Sequence, residues 1–393
     1  MIKPHHRVRQ WLSHLGRRSW ALAQTWSPEN ILGAGLSLTL IYSCVFWWNY
    51  LPRIQTDLNV SVCWPGLNFC SALKSPSSEF WQVLLVIKAM LGGLAGIGFL
   101  VGRGRERIAL WLLACGSLLK LGLYLLDYRL MGNFHSMPIF LSFIYFLRPK
   151  DLNAAQLTLV MFYFLAGTLK LNLEWLSGQA LWTPRVWKLT ELMPWGLAGV
   201  VILELCLIWL LLMPSRPLRF LIWFTLVAFH LVSYNWVGWF YPAIMLTMIL
   251  FMPFMWRKAS SNWRLTRWGA ASMMVLILAH SLPHFEDFKL RGTPLSLEGS
   301  ARAYTLNMID ARPTCIASLM MKVGGDRLDV IPNMREYGVR TSCDPLLLKA
   351  YAVSICRSED PRSMVQIRLA SRRGFVRNVE KLASEQLECG ELQ

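Results

Sequence analysis

The sequence predicts a polytopic α-helical membrane bundle of about nine transmembrane helices, followed by a small, mostly β extracytoplasmic C-terminal domain. Three observations carry that prediction. Hydrophobic residues make up 54% of the chain and charged residues only 16%, well under the roughly 25% charged of a soluble domain. Apolar stretches close to the ~20 residues that a helix needs to cross the hydrocarbon core recur as far as residue 285 or so. Basic residues gather in every second connection between those stretches, which is the asymmetry that orients membrane helices.

The elements follow in order. Residues 1-30 form a basic arm on the cytoplasmic side, carrying Lys3, Arg7, Arg9, Arg17 and Arg18. No small-residue cleavage site follows the first apolar run, so the arm does not read as a cleaved signal. It is either an amphipathic surface helix, with Trp11, Leu12 and Leu15 on one side, or a disordered basic tail. Residues 31-284 form the transmembrane domain, with spans at 31-51, 80-101, 108-126, 134-147, 156-171, 194-213, 220-235, 237-256 and 268-282. The fourth is short, as a tilted, re-entrant or sheltered segment is. Arg103, Arg105 and Arg107 follow the second span, and Arg148 and Lys150 the fourth. Arg216 and Arg219 follow the sixth, and Arg257, Lys258, Arg264 and Arg267 the eighth. Arg185 and Lys188, after the fifth, depart from the alternation. The pattern requires a cytoplasmic N-terminus and an extracytoplasmic C-terminal segment, in a multi-pass integral protein of a bacterial inner membrane. The 19 Trp suit interfacial belts. Lys+Arg number 40 against 23 Asp+Glu, a net charge of +17. In a soluble protein this excess would point to nucleic acid. Here it answers to topology and anionic lipid, no nucleic-acid motif is visible, and the partner it implies is the lipid bilayer.

Residues 285-393 lose the membrane character. Ile316-Val323 and Met364-Leu369 are strand-length apolar stretches. Asp344-Pro345 is a helix start, with Asp as N-cap and Pro at the first helical position, and the run to about Cys356 is apolar at helical spacing. Cys44, Cys115 and Cys206 fall within spans and read as ordinary buried residues. Cys63, Cys70, Cys315, Cys343, Cys356 and Cys389 all fall in segments assigned to the outer side, an even number in an oxidising compartment, and are disulfide candidates. Cys63 with Cys70 is the favoured local pair. No CxxC pair occurs and no metal is predicted.

Ionisable side chains inside a bilayer are costly and face the bundle interior or a cavity. The candidates are Lys88, Lys120, His135, Lys170, Glu204, His230 and His280. With the orientation above, all but Glu204 fall in the outer half of the membrane, and Glu204 is near its middle. One polar chamber open to the outer face accounts for that bias. Each residue also has a plainer reading. A lysine at a helix end snorkels, Glu204 pairs with Lys88 or Lys120, and single histidines are hydrogen-bonded core residues. Around Lys170, the positions three and four back on the same helical face are Gly167 and Ala166, small residues that let a ligand or a second backbone approach the lysine stem. A lysine held away from water can serve as a base, whereas a pair with Glu174 would keep it charged.

Tyr163-Gly178 reads YFLAGTLKLNLEWLSG: an aromatic pair, Ala-Gly-x-x-Lys-Leu, then Trp175 and Gly178. This resembles the signature helix of the vitamin K-dependent gamma-carboxylase family and its bacterial relatives, the horizontally transferred transmembrane domain (HTTM) proteins. Gly132-Asn133-Phe134-His135-Ser136 is similar to the family's Asn-His-Ser segment, although here Phe134 separates Asn133 from His135. Phe229-His230 and the aromatic run to Tyr241 resemble its Phe-His helix. The resemblance covers roughly residues 20-290. Cys343-Leu346 is similar to the start of a helix in the relatives' outer domains.

The resemblance implies a quinol-dependent enzyme. Lys170 would be the base that deprotonates reduced vitamin K or menaquinol, and the quinol anion would react with oxygen. The strong base so formed would remove a proton from a substrate glutamate, and the carbanion would add carbon dioxide. His135 would steady the developing oxyanion, with His230, Asn133, Gly167, Ala166, Glu204, Lys120, Lys88 and Trp175 around the quinone pocket. The partners would be a prenylated quinol and a secreted or extracytoplasmic peptide or protein. The outer segment is much shorter than in the animal carboxylases. That shortness and the altered Asn-His-Ser segment favour an alternative, a non-carboxylating membrane factor for peptide maturation, export or immunity. A third reading is an ion-coupled transporter built on Glu204, Lys88 and Lys120.

Overall fold

A computed structural model describes residues 27–58, 64, 78–102, 104–130, 133–149, 151–171, 173–178, 193–238, 240–256, 265–291, 314–323, 326–330, 345–356, 362–372 and 380–392. The protein is mostly helical, with a small antiparallel sheet near its C-terminus. The basic arm, Asp344, Arg185 and Lys188 lie outside the described residues.

Each of the nine apolar stretches read from the sequence overlaps a helix. They are α1 (Pro28–Leu58), α2 (Ser78–Val101), α3 (Glu106–Leu126), α4 (Asn133–Leu147), α5 (Leu152–Leu169), α7 (Met193–Leu205), α8 (Arg216–Val237), α9 (Phe240–Ile249) and α11 (Arg267–Arg291). The short helices α6 (Leu173–Leu176) and α10 (Met252–Met255) lie between. Among the described residues, α1, α2, α3, α5 and α8 contain stretches long and apolar enough to cross a membrane. The others differ from the simple spans expected. The stretch at 194-213 is broken: α7 ends at Leu205, and a 3-10 helix, Leu207–Leu212, continues it. The stretch at 237-256 breaks between two α-helices, α9 and α10, with Pro253 in the first turn of the second. Helix α4 has only 15 residues, with Pro138 inside it.

Local chemistry explains several of the helix ends. Ser27 Oγ accepts a hydrogen bond from Asn30 N–H at 3.2 Å and starts α1. Asp151 accepts from Ala154 N–H at 3.0 Å and caps α5. Each satisfies an N–H that the first turn leaves without a helical partner. Gly238 ends α8 with φ +78°, a conformation that glycine adopts without a Cβ clash.

Helix α5 is the centre of the bundle. Its span is 78% buried, against 28% for α2 and 22% for α8. It packs against α11, α7 and α4, while α1 packs along α2 and touches α9. The main core joins Leu36, Leu40, Leu113, Met137, Phe162 and Met248 from five of these helices. Large apolar side chains such as Leu94, Ile97, Trp111 and Phe224 face outward, as lipid-facing surfaces require. Cys44 is buried as expected. Cys115 and Cys206 are not: both are exposed, on outward-facing sides of their helices. An apolar stretch makes a helix fit to meet lipid without fixing which side of it meets the bundle.

The sheet has strand order β2-β1-β3-β4, with β1 (Thr314–Val323), β2 (Asp326–Val330), β3 (Met364–Arg372) and β4 (Glu380–Glu388). All pairings are antiparallel, and β1 meets β3 from Thr314↔Arg372 to Lys322↔Met364. Helix α12 (Pro345–Cys356) lays Leu347, Leu348 and Ala352 on Val365, Ile367 and Leu369 of β3. A short helix, α13 (Cys389–Leu392), follows β4, and Cys389 forms a disulfide with Cys356. Cys63, Cys70 and Cys343, with the side chain of Cys315, lie outside the description. This second core continues into Trp64 and Tyr128, and Trp64 Nε1 donates to the Tyr124 carbonyl at 2.9 Å. The sheet and α12 are therefore fastened to the end of α3.

Candidate functional site

The ionisable residues named from the sequence are buried: Lys88, Lys120, His135, Glu204 and His230 have no exposed surface, Lys170 has 5% and His280 has 8%. The contacts among them form two sets.

The first set is built on α5. Lys170 is the C-terminal cap of this helix, so its chain leaves the end of the element and folds back, and Nζ donates to the Ala166 carbonyl at 3.3 Å. It forms an ion pair with Glu204 of α7. Glu204 was expected to pair with Lys88 or Lys120. Lys170 takes it because α7 packs directly on α5 at Gly167. A Cβ on Gly167 would lie 3.0 Å from Glu204 Cβ and 2.9 Å from Leu205 Cδ2. The small-residue face beside the lysine thus admits a second helix, one of the two occupants its sequence allows. The Trp175 ring lies 5.3 Å from Lys170 Nζ. Glu174's side chain lies outside the description.

Two turns before Lys170, the Tyr163 hydroxyl is hydrogen bonded to His230 Nε2 of α8 at 2.7 Å. The His230 ring centre is 5.6 Å from Tyr241 of α9. On the far side of α5, Thr168 Oγ1 bonds the Leu165 carbonyl at 2.7 Å and His280 Nε2 of α11 at 3.2 Å. Among the described residues, Glu204 Oε1 and His230 Nδ1 are buried without a hydrogen-bond partner. Four helices, α5, α7, α8 and α9, therefore supply the polar contacts around Lys170 and Tyr163, and α11 bonds the other side of α5.

The second set lies between α1, α2 and α3. Lys88 Nζ donates to Ser43 Oγ at 3.0 Å and sits 3.8 Å from the centre of the Trp47 ring. Lys120 is within electrostatic range of Lys88. His135 of α4 belongs on this side, with ring centres 4.7 Å from Trp47 and 5.4 Å from Phe46. Phe46 also stacks edge-on against Phe240 at 4.6 Å, so aromatic rings stand between the sets. The single chamber expected from depth is two polar centres. Asn133 begins α4, and its side chain lies outside the description.

Sequence reasoning missed Tyr163, Thr168 and Tyr241 on one side, and Ser43, Trp47 and Phe46 on the other. The signal for Tyr163 was present: it stands seven residues before Lys170, on the same helical face. The others depend on which helices touch. Among the described residues, no group of three His, Cys, Asp or Glu is placed to hold a metal ion.

The fold and the two centres define a mostly helical protein with apolar helices able to span a bilayer, and with ionisable groups gathered inside the bundle. No family model, no curated protein and no solved structure matches the chain.

Proposed function

We propose that this chain is a vitamin K-dependent gamma-carboxylase-like membrane enzyme, in which Lys170 takes a proton from a prenylated hydroquinone, reduced vitamin K or menaquinol. The observation that supports this reading is the Lys170–Glu204 pair, buried beside Tyr163 and His230. Moving one proton from Lys170 to Glu204 leaves a neutral amine and a neutral acid, with the net charge of the pair unchanged. The pair can thus present a base inside the bundle without an uncompensated buried charge. An aromatic diol fits these groups: Glu204 Oε1 has accepting capacity to spare, Tyr163 and His230 hold a hydroxyl and an imidazole together, and Trp175 and Tyr241 supply ring faces. When bound, the hydroquinone supplies the reducing power that, with oxygen, drives addition of carbon dioxide to a glutamate of a secreted or extracytoplasmic substrate. Lys170 and Glu204 hold and move the proton, and the bundle excludes water from them.

This reading includes nine membrane crossings with the N-terminus cytoplasmic. The basic connections at 103–107, 148–150, 216–219 and 257–267 then share the inner face of a bacterial inner membrane, and the sheet with α12 is extracytoplasmic. The Cys356–Cys389 disulfide supports that side, since disulfides persist in oxidising compartments. Impermeant thiol labelling of single cysteines introduced at Gly104 and Arg362 tests the arrangement. Labelling from outside is expected at Arg362 only.

The catalytic test is quinol epoxidation by the purified chain in nanodiscs, supplied with reduced vitamin K or menaquinol, oxygen, bicarbonate and a glutamate-rich peptide. Epoxide is expected from the wild type and not from Lys170→Ala or from the apolar pair Lys170→Met with Glu204→Leu. Absence of both epoxide and quinol binding, under conditions that serve a known carboxylase, would remove the enzymatic reading.

One observation favours the alternative, a non-carboxylating factor for peptide maturation, export or immunity. His135, the assisting histidine of the leading reading, packs against Phe46 and Trp47 on the Lys88 side. Loss of peptide processing or immunity in cells carrying Trp47→Ala, with epoxidation absent in the wild type, would favour that factor.

A further inference from the structure

The Lys88–Lys120 centre has a composition that helix packing alone does not require. Both lysines have no exposed surface, and the helices that carry them meet at this level: Trp47 packs with Leu85, one turn before Lys88, and with Leu123, one turn after Lys120, while a Cβ on Gly116, one turn before Lys120, would lie 3.5 Å from Leu91 Cβ, one turn after Lys88. Neither forms an ion pair with a carboxylate among the described residues, and Glu204, the acid the sequence suggested for them, is held by Lys170. Lys88 is turned by Ser43 Oγ and the face of Trp47. Lys120 Nζ has no hydrogen-bond partner, and neither have Ser117 Oγ, one turn earlier on the same face of α3, or Trp47 Nε1. Beyond the Lys88–Ser43 bond, the Lys120 amine, a hydroxyl and an indole N–H on this side of the bundle are buried with no acceptor to match them. Two buried ammonium groups without an anion would be among the most costly arrangements in a membrane protein, so the positive charge and an anion belong together here.

We propose that this centre binds a small carboxylate-type anion, bicarbonate or the side-chain carboxylate of an acidic peptide, between Lys88 and Lys120. Such an anion is an acceptor for Lys88 and Lys120, protonated as it binds, and for the Ser117 and Trp47 donors that have no other partner. Depth selects a small anion over a lipid phosphate. Lys88 is ten residues into α2 from Ser78 and Lys120 six before the end of α3 at Leu126, roughly 15 and 9 Å at 1.5 Å per residue. Cys44 does not supply the negative charge: its thiol donates to the Leu40 and Leu85 carbonyls at 3.2 and 3.3 Å. The centre is separate from Lys170, and its occupancy does not depend on the reaction proposed there.

The test is melting of the full chain in nanodiscs of neutral lipid, titrated with formate, bicarbonate or N-acetylglutamate against chloride, at constant pH and ionic strength. Infrared spectra with isotope-labelled formate report the bound carboxylate directly. A saturable rise in melting temperature is expected, with affinity weakened about tenfold or more in Lys120→Met and kept in Lys120→Arg. Without anion, Lys120→Met should melt no lower than wild type, since it removes a buried amine that has no partner. Bicarbonate binding without N-acetylglutamate binding identifies a dissolved anion as the ligand, and the reverse identifies a peptide side chain. Either supports the site. The same rise with chloride, no saturable rise with any carboxylate, an undiminished response in Lys120→Met, or a lower melting temperature of anion-free Lys120→Met would overturn it.

Discussion

Removing one partner of the Lys170–Glu204 pair strands the other charge in the bundle. Lys170→Met and Glu204→Leu singly should each cost about 3–5 kcal/mol, while the double variant recovers most of that loss. Thermal melting of the three proteins in one detergent checks this, and a double variant no more stable than the singles would show that the pair is not the coupled unit. The consequence reaches the transporter reading: built on Glu204, Lys88 and Lys120, it makes Glu204→Gln abolish function and leaves Lys170→Ala tolerated. With the two residues paired, both are expected to be damaging, and that contrast no longer separates the readings. The Tyr163–His230 bond makes a smaller prediction. Tyr163→Phe keeps the ring and leaves His230 Nε2 without this partner, so it should cost about 1–2 kcal/mol in the same assay.

At the scale of the element, α5 and α7 meet at a glycine. Gly167→Ala would place a methyl 3.0 Å from Glu204 Cβ and 2.9 Å from Leu205 Cδ2, so α7 must shift and carry Glu204 with it. A loss of about 1–3 kcal/mol is expected from this overpacking, with Lys170-dependent activity reduced as well. Gly199, on α7, is the control: nothing lies within 4 Å of its Cβ position. Gly199→Ala should be neutral or stabilising by up to about 1 kcal/mol, because alanine is the better helix former. Equal effects at the two sites would mean that close approach is not what Gly167 provides. The breaks after Leu205 and Ile249 belong to the same scale. The second has a local signal: Pro253 has no N–H to give the Ile249 carbonyl, which accepts from Trp223 Nε1 at 2.8 Å instead. The change to 3-10 geometry after Leu205 comes in an apolar run that carries no glycine or proline.

For the molecule as a whole, the sheet and α12 are tied to one end of the bundle by Trp64, Tyr124 and Tyr128, and closed on themselves by Cys356–Cys389. The bridged residues are 33 apart in sequence, a loop whose closure is worth about 3–4 kcal/mol in the chain-entropy account. Cys356→Ser with Cys389→Ser should therefore loosen this unit while leaving the helices folded. Hydrogen exchange that rises over residues 345–392 and is unchanged over 152–169 would agree. A uniform rise would mean that the bundle depends on the unit for its own stability.

The apolar helices were legible from the sequence because a helix able to cross a bilayer is a long apolar run, and the strands at 314–323 and 364–372 and the helix at 345–356 because their apolar pattern and start signals are local. Lys170, Glu204, His230, Lys88 and Lys120 were legible as residues, since an ionisable group in an apolar run is conspicuous wherever it sits. Their partners were not. Which lysine takes Glu204, whether Cys115 and Cys206 face inward, and whether one polar centre forms or two all depend on helix rotation and on which helices touch. Those are decided by contacts between residues far apart in the chain, such as Gly167 against Glu204 and Phe46 against Phe240. Composition and periodicity fix the environment of each helix; only packing fixes its neighbours.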